Sequence, residues 1–87
     1  MSFEDFLIDH QMNVVLTKLP SSVRGFCYEK DGWTIIFINE SLCTEQQRDV
    51  CAHEMLHALK GHLGQYDYQQ CESEVQMLVK ETEFVFE

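Results

Sequence analysis

Two histidines four residues apart, His53 and His57, stand in the stretch VCAHEMLHAL (50–59), with Glu54 directly after the first. On an α-helix, residues at this spacing lie one turn above each other on the same face. Both imidazoles can therefore offer a nitrogen to one metal ion. Glu54 is rotated about 100° from His53. That angle is poor for binding the same ion and good for hydrogen-bonding a water on it. Zinc hydrolases place H-E-x-x-H on a helix for this reason. Zinc lowers the pKa of its water towards ~7, and the carboxylate accepts the proton as the water attacks a carbonyl carbon. The chemistry to look for is metal-assisted hydrolysis with Glu54 as the base.

The surroundings favour this over core histidines that merely hydrogen-bond to carbonyls. Val50, Cys51, Ala52, Met55, Leu56, Ala58 and Leu59 leave the motif without charged neighbours in its middle, whereas a surface helix with a chance match would carry several. Two histidines and a glutamate in so apolar a segment are costly without a compensating partner, and a divalent cation is one. The third ligand is less direct. His62 lies five residues beyond His57, past the helix end expected at Gly61. The metzincin pattern needs glycine at 60 and histidine at 63, where this chain has Lys60 and Leu63. A carboxylate from the last helix would give the two-histidine, one-glutamate set of many zinc peptidases. Glu72 and Glu74 flank its apolar stripe at similar angles, and periodicity does not choose between them.

The elements that must position these residues follow from pattern and turn chemistry. Ser2 with Asp5, and the spacing of Phe3, Phe6, Leu7 and His10, predict a short first helix with His10 in a structural role. Val14 to Leu16 suit a short strand ended by Pro20-Ser21-Ser22. RGFCYE (24–29) and WTIIFI (33–38) flank Lys30-Asp31-Gly32 and predict a β-hairpin. WTIIFI is apolar on both faces, as an inner strand between two layers would be, with Trp33 in the core. Thr44 with Gln47 starts the metal helix, and Gly61, in a left-handed conformation, should stop it. A last helix after Asp67 carries the stripe Tyr68, Cys71, Val75, Leu78 and Thr82. The expected fold is a small α+β domain over residues 1–87, with a mainly antiparallel sheet.

Bulk properties narrow the functional classes. Six basic residues against fifteen acidic ones give a net charge of −9, which repels phosphate backbones and argues against direct nucleic-acid binding. The same charge favours a basic partner or substrate. No apolar run reaches the length of a membrane span, and the acidic, amphipathic start MSFEDFLIDH is unlike a basic leader. A cytoplasmic protein is the expectation. Cys27, Cys43, Cys51 and Cys71 form no C-x-x-C pair, and four buried or half-buried thiols are expected rather than disulfides.

From about Gly25 to Val79 the chain resembles the ImmA/IrrE family of metallo-endopeptidases. The resemblance is carried by GFCYEKDGWTIIFINESL, then TEQQRDVCAHEMLHALKGH, then ESEVQMLV, in that order. It implies a minimal zincin-like domain that binds Zn²⁺, with His53 and His57 as ligands and Glu54 as the catalytic residue. It also aligns the family's later glutamate ligand with Glu74. Leu56 stands where relatives often have glycine, and Val75 and Val79 where they have alanine. Members are common in phages and mobile elements, and several cleave helix-turn-helix repressors. The resemblance thus implies a protein or peptide substrate, with a transcriptional repressor as the leading candidate. His62, Tyr66 and Tyr68 follow the metal helix closely enough to be candidates for stabilising an oxyanion. The alternative is a non-catalytic zinc-binding module that grips a partner on the same fold.

Overall fold

A computed structural model describes residues 2–61, 65–80 and 82, with only the backbone for 65–68. The first helix, α1 (Phe3–Asp9), is held at its start by a reciprocal pair of hydrogen bonds. The Asp5 N–H donates to Ser2 Oγ at 3.1 Å, and the Ser2 N–H donates to the Asp5 carboxylate at 3.4 Å. Phe6 is its buried residue. His10 ends the helix with its ring 4.3 Å from that of Phe6, a packing role as expected.

Three strands follow, β1 (Met12–Thr17), β2 (Gly25–Lys30) and β3 (Trp33–Asn39), in the order β1-β3-β2. The β2–β3 hairpin turns at Asp31 and Gly32, both with positive φ (53° and 83°), as a two-residue loop requires. β1 runs parallel to β3, with Val14 opposite Ile36. The sheet is therefore mixed rather than mainly antiparallel. Residues 18–24 and β2 together form the crossover that a parallel pair needs, so β3 comes back in the direction of β1.

One face of the sheet carries the core. Met12, Thr34, Ile36 and Ile38 are buried there, with Val14, Leu16 and Cys27 packed around them. The other face is open: Phe26, Tyr28 and Trp33 are exposed, and Phe26 stacks on Phe37 at 4.9 Å. Among the described residues β3 is thus central in the sheet but covered on one side only, and Trp33 is not a core residue. An apolar strand can arise from cross-strand aromatic packing as well as from two covering layers.

The covering layer is α2 (Thr44–Lys60), with α3 (Gln65–Lys80) packed on it. Val50, Cys51, Ala52, Met55 and Leu59 of α2 are buried, and so are Val75 and Val79 of α3. α2 begins one residue earlier than expected: the Cys43 N–H donates to the Gln46 side chain at 3.2 Å. Gln47 is buried instead, donating to the carbonyls of Glu40 and Leu42. Gly61 does follow the last turn, but in right-handed conformation (φ −78°) rather than the left-handed one expected. α3 starts at Gln65, before Asp67.

The link from β3 to α2 is tied down by Asn39, a buried side chain. Its amide donates to the carbonyls of Leu19, Pro20 and Val23, and its oxygen accepts from the N–H and hydroxyl of Ser41. One residue thus anchors both the 18–24 loop and the approach to α2. The four thiols are free, as expected, although Cys43 is exposed rather than buried.

Candidate metal centre

α2 has one buried face and one open one, and its sequence decides which residues go where. Cys51, Met55 and Leu59 point into the core, with Cys51 Sγ 3.7 Å from Met55 Sδ. His53 and His57 lie on the other side and are exposed. Their rings are nearly parallel, 6° apart, with centroids separated by 6.5 Å. Core histidines paired with carbonyls are thereby excluded: both imidazoles face outward, stacked like rungs and free to share a ligand. Glu54, half-buried, turns from this face towards β2.

The seam between α2 and β2 holds two hollows in succession. The first, about 410 Å³, is bordered by His53 and Glu54 together with Arg24, Gly25 and Asp49. The second, about 490 Å³, lies by His57, Cys27, Glu29 and Thr34. Gly25 makes the seam narrow. A methyl group there would lie 2.6 Å from the Phe37 carbonyl oxygen and 2.6 Å from Val50 Cγ1. β2 is an edge strand, and no other described strand pairs with its free side. β2 thus offers an open edge beside the seam.

Spacing did not single out the β2 residues. Gly25, Cys27 and Glu29 alternate onto the face opposite Ile38, Ile36 and Thr34, which is the face α2 covers. An isolated glycine in a strand pattern is the signal that could have found them, since it often marks close approach of another backbone or side chain. Burial pushes the Cys27 thiol above its ordinary pKa, and the charge of the nearby Glu54 carboxylate adds to the rise. The Glu29 charge acts in the same direction, and the backbone around Cys27 acts weakly against it.

The two imidazoles suit a zinc ion: nitrogen donors, one turn apart, on an accessible face. The third donor is not assembled with them. Among the described residues, no three histidine, cysteine, aspartate or glutamate side chains come together as a group that could hold a metal. Glu74 is half-buried and Glu72 exposed on α3, and neither completes such a group. His62 lies outside the described residues, and so do the side chains of Tyr66 and Tyr68.

Comparison with curated proteins returns no match. Comparison with solved structures returns none either. A family model does match: that of the IrrE N-terminal-like domain, Peptidase_M78, over residues 9–82. The matched span holds the whole sheet, the H-E-x-x-H helix and α3. The chain therefore belongs to the IrrE N-terminal-like domain family of metallopeptidases, as a small α+β, zincin-like domain.

Proposed function

We propose that this protein is a zinc-dependent endopeptidase that cleaves a specific protein, a helix-turn-helix repressor of the phage type. The observation that carries the reading is the pair of parallel, exposed imidazoles with Glu54 beside them, on a seam next to an open strand edge. In this reading His53 and His57 hold the zinc, and Glu74 completes the set. When bound, zinc supplies Lewis-acid activation of water and of the scissile carbonyl.

The chain's own residues do the rest. Glu54 accepts the proton of the attacking water and returns it to the leaving amine. The free edge of β2 offers backbone N–H and C=O groups to an extended peptide and lays it along the seam. His62, Tyr66 and Tyr68 are the candidates for binding the oxyanion. A surface of net charge −9 suits a basic substrate, and DNA-binding repressors carry basic surfaces. No described helix is long and apolar enough to cross a membrane, in keeping with action on a soluble target.

The deciding experiment pairs metal analysis with Glu54→Gln. About one zinc per chain is expected, lost in His53→Ala and in Glu74→Ala. Zinc that survives Glu74→Ala would move the third-ligand role to Glu72 or His62. Glu54→Gln should keep the metal and lower cleavage by on the order of 100-fold or more. If repressor inactivation survives Glu54→Gln, the protein is a zinc-binding interaction module and not a protease.

A further inference from the structure

The hydrogen bonds of β2 have a phase. Across the β2–β3 pair the Asn39 N–H donates to the Arg24 carbonyl at 2.9 Å. Residues that bond across an antiparallel pair alternate, so Phe26, Tyr28 and Lys30 also turn their N–H and C=O groups towards β3. Gly25, Cys27 and Glu29 turn theirs to the free edge. The side chains of these same three residues face α2, opposite Ile38, Ile36 and Thr34. An extended peptide bonded to this edge therefore points the side chains level with Gly25, Cys27 and Glu29 towards α2, whichever way it runs. Gly25 and Glu29 lie roughly 13 Å apart along the strand. Each borders a different hollow of the seam.

The two hollows differ in charge. Arg24, Asp49 and Glu54 give the first both signs. Around the second, among the described residues, Glu29 is the one acidic or basic side chain besides His57. This hollow also lies against Ala58 and Gly61, at the C-terminal end of α2. The last carbonyls of a helix leave partial negative charge there, which favours a cation. We propose that the hollow at His57 is a subsite for a lysine or arginine side chain of the substrate, and that Glu29 selects it. The inference deepens the endopeptidase reading and rests on it for the bond that is cut, though not for the binding. The hollow, about 490 Å³, has room for a long aliphatic stem beside Cys27 and Tyr28 while the charged head meets the carboxylate. A net charge of −9 attracts basic chains to the whole surface without choosing a position. Glu29 makes that choice.

The test uses pools of short, fluorescein-labelled peptides. Each pool has one position fixed as lysine, norleucine or glutamate, and the others randomised without charged residues. Norleucine keeps the aliphatic stem of lysine and lacks its ammonium group. Binding is read by fluorescence anisotropy on the metal-loaded Glu54→Gln protein, so that turnover does not interfere. Lysine pools should bind about two- to fivefold tighter than norleucine pools, the span of an exposed ion pair, and glutamate pools more weakly than both. Adding Glu29→Gln should abolish the difference, and adding Glu29→Lys should reverse it in favour of glutamate. Asp31→Asn removes the same charge from the hairpin turn, outside the hollow, and should leave the preference intact. Equal binding of lysine and norleucine pools overturns the proposal. So does a lysine preference that survives Glu29→Gln, or one that Asp31→Asn removes equally. Cleavage of the same pools by the metal-loaded wild type, read by mass spectrometry, should place lysine at one fixed distance from the cut bond. Lysine scattered over many distances also overturns it. A preference that depends on Glu29, in a protein that cleaves no pool, would instead remove the endopeptidase reading and leave the subsite standing in a binding module.

Discussion

Cys51 is turned about 200° along α2 from His53 and shares none of its exposure. Burial alone pushes its pKa from the ordinary 9.0 up to about 12. A folded-state pKa raised above the unfolded value means that the neutral thiol contributes stability, fully present below pH 9. That contribution is lost as pH rises towards about 12, because the unfolded chain ionises first. The urea midpoint of the wild type should therefore fall more steeply between pH 9 and 12 than that of Cys51→Ala. Parallel curves would show that this thiol is not desolvated. The two faces of α2 also show what was legible at this scale. His53, Glu54 and His57 were readable because helical spacing is a local rule. The tight fit of Gly25 against Val50 was not, because it depends on how closely two elements distant in sequence approach each other.

That approach is set at the level of elements. Gly25→Ala would place a methyl group against a backbone carbonyl, which cannot swing aside as a long side chain can. A loss of about 1–3 kcal/mol in unfolding free energy is expected, the usual cost of overpacking. Thermal melts check it, and an unchanged or raised Tm would mean that the seam is wider than described. Asn39→Ala should cost a similar amount, about 2–3 kcal/mol, since it leaves the carbonyls of Leu19, Pro20 and Val23 without their shared donor. Denaturant midpoints read this directly, and Asn39→Asp, which offers no N–H to the same carbonyls, should not rescue it. The hairpin and three helices were legible because turn residues, caps and 3.6-residue stripes act over short range. The parallel direction of β1 was not, since it depends on where the chain returns after the hairpin. The cap at Cys43 was displaced by one residue because Gln47, which suited a capping box with Thr44, is more useful buried beneath the Glu40 and Leu42 carbonyls.

At the scale of the molecule, the described residues pack their core on one side of a three-stranded sheet, and a core that small gains from any ligand that binds only the folded form. With zinc at 100 times its dissociation constant, linkage adds about 2.7 kcal/mol, and a domain of this size should melt on the order of 10 °C higher. His53→Ala should show no such rise. A wild-type Tm indifferent to zinc and to chelators would remove the metal centre from the account. The family and the α+β class were legible from the order of three segments along the chain. The outer face of the sheet, left open by the described residues, was not, because an apolar strand looks the same whether one layer covers it or two.

The sheet order has a temporal side as well. β1 finds its sheet partner in β3, beyond the intervening β2, and the described residues give it no other. On a ribosome that releases about 5–20 residues per second, Met12–Thr17 emerges well before Trp33–Asn39. β2 and β3 can close on each other within microseconds of appearing. Of the three described strands, the first to be made is thus the one that must wait, an unpaired apolar segment during synthesis, and the hairpin is the template on which it comes to rest.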